Sequence, residues 1–184
     1  EIVPCDITAE EVREMSPSAI ILSGGPASVN AEDAPRVDPA IYELGVPVLG
    51  FCYGHQITAV TLGGTVFHPE VGEYGPATLH VEGGALFEGT PTDQTVWMSH
   101  FDAVHDVPEG FTVVASTDVC PVAAMENAEK RIYTTQFHPE VKHTEFGQQI
   151  LSNFLFNVCK LEKNWSMDNL VETMTAEFRE KVGE

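Results

Sequence analysis

A chain of 184 residues that is 43% hydrophobic and 9% aromatic can bury a core of its own, which argues for one compact domain and against disorder. Its 28 acidic residues against 9 basic ones give a net charge of −19, so nucleic acid and anionic membranes would repel it. No run approaches the roughly 20 apolar residues of a membrane-spanning helix, the N-terminal residues lack the basic and apolar regions of a secretory signal, and a cytoplasmic protein is expected.

In chain order, the predicted elements are a strand at Glu1–Val3, a helix at Thr8–Met15, a strand at Ala19–Leu22, a short helix at Pro39–Leu44, a strand at Val46–Cys52 and a helix at Tyr53–Leu62. This alternation predicts parallel strands joined by right-handed crossovers, an α/β fold. From Thr65 to Phe137 the helical pattern gives way to strands at Thr65–Phe67, Ala77–Val81, Thr95–Met98, Thr112–Ala115, Val122–Glu126 and Ile132–Phe137. Alternation such as Leu79/Val81 and Tyr133/Thr135/Phe137 suits added antiparallel strands with one exposed face.

Thr144 can then N-cap a helix whose apolar stripe is Ile150, Leu151, Phe154, Leu155 and Val158. After Cys159 a polar break, Lys160–Asn164, leads to a second amphipathic helix at Met167–Val182, with Leu170, Met174, Phe178 and Val182 four residues apart. Such a helix needs a partner, either by folding back or by joining another domain.

Four cysteines, Cys5, Cys52, Cys120 and Cys159, are scattered with no C-x-x-C pair, which disfavours a zinc knuckle and a disulfide framework. Cys5, Cys120 and Cys159 read as small buried hydrophobes. Cys52 differs: it is the centre of Gly50-Phe-Cys-Tyr-Gly54, at the join of an apolar strand and a helix. That pattern is a nucleophile elbow with sulfur in place of oxygen, its glycines allowing the close backbone approach of a sharp turn.

An ordinary thiol is only a few per cent thiolate at neutral pH, so a nucleophilic cysteine needs an imidazole, and the imidazole needs an orienting acceptor. His-Pro-Glu supplies both, because residues two apart in an extended segment point the same way. The motif occurs twice, at His68-Pro-Glu70 and at His138-Pro-Glu140, and spacing alone leaves both open. His138, Glu140 and His143 could also be read as metal ligands, but the proline disfavours the helical spacing of known zinc signatures. An oxyanion hole would come from Ser23-Gly-Gly-Pro26, at the end of the strand Ala19–Leu22.

Ile21-Leu-Ser-Gly-Gly-Pro26, Gly50-Phe-Cys-Tyr-Gly-His-Gln56 and Gln136-Phe-His-Pro-Glu-Val141, in this order and spacing, resemble the class I (triad-type) glutamine amidotransferase family. Val96-Trp-Met-Ser-His100, Ala115-Ser-Thr-Asp118, Cys120-Pro-Val-Ala-Ala-Met-Glu-Asn127 and His143-Thr144 are similar to the glutaminase domains of its GMP synthetase branch. The resemblance implies an open, mostly parallel flavodoxin-like sheet flanked by helices, with added antiparallel strands. It implies a glutaminase domain over 1–160 that lacks the family's first strand and helix. Residues 161–184 would lead to an absent ATP pyrophosphatase synthetase domain, in cis or on a separate chain, through which a homodimer would form.

By the same resemblance Cys52 attacks the side-chain amide of L-glutamine, His138 is the general acid/base and Glu140 orients it. The backbone N–H groups of Gly25 and Tyr53 form the oxyanion hole, and Gln56, Ser99, His100 and Asp102 lie near the glutamine. The resemblance selects the second His-Pro-Glu copy. No cofactor or metal is implied in this chain; ATP and Mg²⁺ belong to the synthetase domain, which aminates xanthosine monophosphate to GMP.

Two departures stand beside the match: Phe101 where the family motif reads Gly, and Thr134-Thr135 in place of Gly-Val. Phe101, with the missing first elements and the terminal helix, leaves as an alternative a catalytically silent docking module; a third reading is a stand-alone γ-glutamyl hydrolase or redox-sensing thiol protein on a similar fold.

Overall fold

The computed structural model describes residues 1–69, 71–163, 174, 175, 178, 179, 182 and 183. Its strands are β1 (Ile20–Leu22), β2 (Val48–Phe51), β3 (Val66–Phe67), β4 (Glu73–Val81), β5 (Asp93–His100), β6 (Ala103–Val104), β7 (Thr112–Ser116), β8 (Ala124–Asn127) and β9 (Ile132–Thr135). The helices are α1 (Ala9–Met15), α2 (Tyr53–Thr61) and α3 (Gly147–Ser152), with short 3-10 helices at Pro39–Glu43 and Ala85–Phe87. Seven strands form one sheet in the order β1-β2-β9-β8-β7-β4-β5, and β3 pairs with β6 beside it.

The parallel part of the sheet is β1, β2 and β9, and β2 lies between the other two. That position explains a strand, Val-Leu-Gly-Phe, buried along its whole length. Leu49 and Phe51 join the larger core with Phe137, Ile150 and Phe154, and Val48 packs with Tyr42 and Ile132. The remaining sheet partners, β8, β7, β4 and β5, are antiparallel, as the alternation between Thr65 and Phe137 predicts for them. The same expectation fails at β9: Tyr133/Thr135/Phe137 alternate, yet β9 runs parallel to β2 and is buried on both faces, because it lies inside the sheet between β2 and β8.

Local signals hold at α1. Thr8 caps it, accepting from the Glu11 N–H, while the Glu11 carboxylate accepts from the Thr8 N–H, a reciprocal capping box.

Three expectations fare differently. Glu1–Val3 forms no strand: Ile2 is fully exposed, and β1 at the sheet edge pairs only with β2. Ile2 and Val3 have strand propensity, but only a ladder makes a strand. Thr144 does not cap α3, which starts at Gly147 after Phe146; its hydroxyl instead donates to the His138 carbonyl at 2.6 Å and accepts from the Trp97 N–H at 3.1 Å. The expected stripe does face inward, with Ile150 and Phe154 fully buried, but the helix widens into a π-turn over Asn153–Val158. The predicted helix at Met167–Val182 lies for the most part outside the described residues.

Among the described residues, no helix is long and apolar enough to cross a membrane.

Candidate active site

The elbow follows from the end of β2. Cys52 donates its N–H to the Thr135 carbonyl at 2.8 Å, continuing the β2–β9 ladder by one bond before the chain turns into α2. The turn places Cys52 at φ 53°, ψ −107°, a conformation that costs a non-glycine residue about 1–3 kcal/mol. Both flanking glycines are there for close approach. A Cβ on Gly50 would lie 2.6 Å from the Gly54 carbonyl oxygen, and one on Gly54 would lie 2.1 Å from the Leu22 carbonyl oxygen of β1. Gly54→Ala is therefore expected to push α2 off β1 and destabilise the fold by about 1–3 kcal/mol, read as a lower midpoint in urea unfolding.

His138 reaches the same place from the segment after β9. Its N–H donates to the Trp97 carbonyl at 3.1 Å, and Thr144 holds its carbonyl, so β5 and the approach to α3 fix the backbone. Gly147 lets α3 come close, since a Cβ there would lie 2.1 Å from the Pro139 carbonyl oxygen. The His138 Nδ1 is 2.7 Å from Glu140 Oε1.

The Cys52 side chain lies beside the same imidazole, both against Gly24. Its interaction with the ring is the largest influence raising the His138 pKa, to about 10 against an ordinary 6.5, with the Glu140 hydrogen bond next and burial opposing. At Glu140, burial is the largest single effect and pushes the carboxyl up. The His138 hydrogen bond, a backbone N–H and the imidazolium charge together outweigh it and hold the carboxyl below its ordinary range. Thiol, imidazole and carboxylate thus form one chain, in which the thiol proton can pass to the ring and the carboxylate can hold the resulting imidazolium.

The loop after β1 lies directly against this chain. A Cβ on Gly24 would sit 3.0 Å from His138 Cε1 and 3.4 Å from Cys52 Cβ, and one on Gly25 would sit 3.7 Å from Tyr53 Cβ. Tyr53 is the first residue of α2, so its N–H has no intrahelical acceptor. Gly25 and Tyr53 therefore flank the thiol side by side at a helix N-terminus, where backbone N–H groups favour negative charge.

Of the other expected contacts, Ser99 meets Cys52, and Gln56 and His100 converge on Asp102. The Cys52 thiol points at the Ser99 carbonyl, 3.6 Å away. Gln56 is buried, donating from Nε2 to the Asp102 carbonyl at 2.6 Å and to Gln136 Oε1 at 3.2 Å. His100 is buried with Nδ1 3.0 Å from the Asp102 carbonyl oxygen and Nε2 3.3 Å from Glu73 Oε2. The Asp102 carboxylate is engaged within the protein by the Ser28 hydroxyl and by His68 Nδ1. The first His-Pro-Glu copy thus brings its histidine to Asp102, while the second brings its histidine to Cys52. His143 lies over the Trp97 ring, and among the described residues no group of three His, Cys, Asp or Glu is arranged to hold a metal ion.

Sequence reasoning missed several supports. His55 is fully buried in the first turn of α2, its Nδ1 2.7 Å from Thr134 Oγ1 and its Nε2 3.1 Å from the Val122 carbonyl oxygen. Burial drives its pKa down to about 3, so the ring is neutral there. Thr134, seen in the sequence only as a departure, is the partner that keeps this buried imidazole satisfied. Glu73 and Thr117 are bonded to each other behind His100: Glu73, in β4, gave no sequence signal, and Thr117, just after β7, lay in a quoted motif with no role attached.

Comparison with known proteins matches this arrangement to one family. The glutamine amidotransferase class-I family model matches residues 1–158. The GMP synthase [glutamine-hydrolyzing] of Streptomyces avermitilis is 55% identical over all of this chain, which covers 35% of that protein. The Clostridium novyi protein of the same name is 51% identical, again over all of this chain and 36% of the relative. The chain thus spans about a third of the length of these relatives. A solved structure of a Thermoplasma acidophilum protein, named for one of the subunits of GMP synthase, superposes with a TM-score of 0.78 at 31% identity, covering all of this chain and 84% of that one. With the family model matched from the first residue through the π-turn after α3, the chain belongs to the class-I glutamine amidotransferases.

Proposed function

We propose that this chain is the glutaminase part of a GMP synthase, which hydrolyses L-glutamine to L-glutamate and ammonia. The observation that carries the proposal is the strained Cys52 set beside a His138 whose other side is held by Glu140. In this reading the Cys52 thiolate attacks the side-chain amide carbon, and the N–H groups of Gly25 and Tyr53 receive the oxyanion. The His138 imidazolium gives its proton to the leaving nitrogen, ammonia departs, and a γ-glutamyl thioester remains on Cys52. His138 then takes a proton from water as it attacks the thioester, glutamate leaves, and the thiolate–imidazolium pair is restored.

Residues 1–160 would be the glutaminase domain, with 161–184 leading to the synthetase partner. The names and greater length of the relatives support that partner, which would use ATP and Mg²⁺ to aminate xanthosine monophosphate to GMP with the ammonia. A homodimer would form through the synthetase domain. The cytoplasm, where thiols stay reduced, suits an unpaired reactive cysteine.

The test is a paired assay of glutamate and ammonia from glutamine. Release of both in equal amounts is expected; release of neither, with the chain alone or with its synthetase partner supplied with ATP, Mg²⁺ and xanthosine monophosphate, contradicts the proposal.

A further inference from the structure

Asp102 carries a carboxylate that is only 5% exposed, and the oxygens of a buried carboxylate need hydrogen-bond partners. One oxygen accepts from the Ser28 hydroxyl, on the loop that continues from Gly24-Gly25. The other lies 2.6 Å from His68 Nδ1, on the segment between β3 and β4. Asp102 thus ties three separate segments together beside the thiol. The His68 ring, two-thirds exposed, also lies flat on Phe101, with centroids 4.1 Å apart and planes 20° from parallel. The residue that departs from the family motif has therefore acquired a partner, and that partner is the histidine of the unused His-Pro-Glu copy.

The stretch held in this way faces the reacting atom. Ser99 presents its carbonyl to Cys52 Sγ, and the Asp102 carbonyl accepts from both Gln56 and His100. We propose that His68 is a positioning residue of the glutaminase site: through Asp102 and Phe101 it pins residues 99–102 in the place where they receive the amino-acid end of free glutamine. The inference rests on the glutaminase reading for its substrate, though the pinning itself does not. His68 touches no reacting atom; Phe101 contributes the flat surface that the ring needs.

The experiment compares His68→Ala, His68→Asn and Phe101→Gly with the parent protein in two measurements. In hydrogen exchange, backbone amides of the peptide covering 99–104 should exchange faster in His68→Ala and return toward parent rates in His68→Asn, whose amide N–H can still reach Asp102. Phe101→Gly, which removes the stack and keeps the Asp102 bond, should show the same change more weakly. In turnover, KM for glutamine should rise about five- to tenfold in His68→Ala, the size of one ordinary hydrogen bond, with kcat held within about twofold. Unchanged exchange in both His68→Ala and Phe101→Gly would overturn the proposal, and so would a fall in kcat at constant KM, which would make His68 a chemical participant. If the parent protein turned over no glutamine, the glutaminase reading would fail, while the exchange result would still decide whether His68 pins the segment.

Discussion

Cys52→Ala is expected to lower glutamine hydrolysis by about ten-thousandfold or more while leaving the protein folded. Nucleophile and base act as a unit, so removing one member forfeits most of the acceleration the unit provides. What survives is binding and whatever the Gly25 and Tyr53 N–H groups do for direct attack by water. Folding should not suffer, because alanine keeps the Cβ that Gly24 packs against and relieves none of the turn geometry. Circular dichroism alongside the ammonia assay separates lost chemistry from lost structure. An alanine variant with near-parental turnover would remove the mechanism.

His138→Ala is expected to cost about a thousandfold or more, because it takes away both the thiol's proton acceptor and the proton donor for the leaving nitrogen. Glu140→Gln should cost less, since the ring would remain while its orientation and the stabilisation of its charge weaken. The pH dependence follows from the same pair. A raised His138 pKa means that the imidazolium stabilises the fold fully below the ordinary value of 6.5, and that this contribution fades as pH rises through about 10. The depressed Glu140 carboxyl acts in the opposite sense: its contribution is present above the ordinary 4.5 and is lost as pH falls through its lower folded value. Unfolding midpoints measured against pH should therefore show an alkaline decline. In Cys52→Ala that decline should move to lower pH, because the largest influence holding the proton on His138 is gone. An alkaline limb unmoved by Cys52→Ala would show that thiol and imidazole are not coupled.

Much of the site is legible along the chain because its parts are local. The elbow announces itself in five residues, since a sharp strand-to-helix turn needs Gly50 and Gly54 for steric reasons that act within one turn. Ser23-Gly-Gly-Pro26 is readable for a similar reason, as a turn at the end of a strand whose neighbour is β2. The choice between two identical His-Pro-Glu segments is a different matter. Nothing local separates His68 from His138; what separates them is that one follows β9, the parallel neighbour of β2, while the other follows β3, outside the main sheet.

Long-range pairing hides the rest as well. Thr144 has the right chemistry for a helix cap, and its hydroxyl is used instead to join β5 to the His138 carbonyl. Phe101 and Thr134 read as isolated departures until His68 and His55 are found against them. Each substitution has a histidine as its companion, and no period of 2 or 3.6 residues connects the members of either pair. Glu1–Val3 fails for the converse reason, since its composition is that of a strand and no neighbour pairs with it.

The central claim, that the Cys52 sulfur activated by His138 attacks the side-chain carbonyl end of glutamine, is tested most directly by a diazoketone analogue of glutamine followed by peptide mass spectrometry. Sulfur alkylation with loss of dinitrogen is predicted to label Cys52 stoichiometrically, to be slowed by excess glutamine, and to be nearly absent in His138→Ala at neutral pH. Label on Cys5, Cys120 or Cys159 instead, or label on Cys52 that is indifferent to both glutamine and His138, would contradict the account.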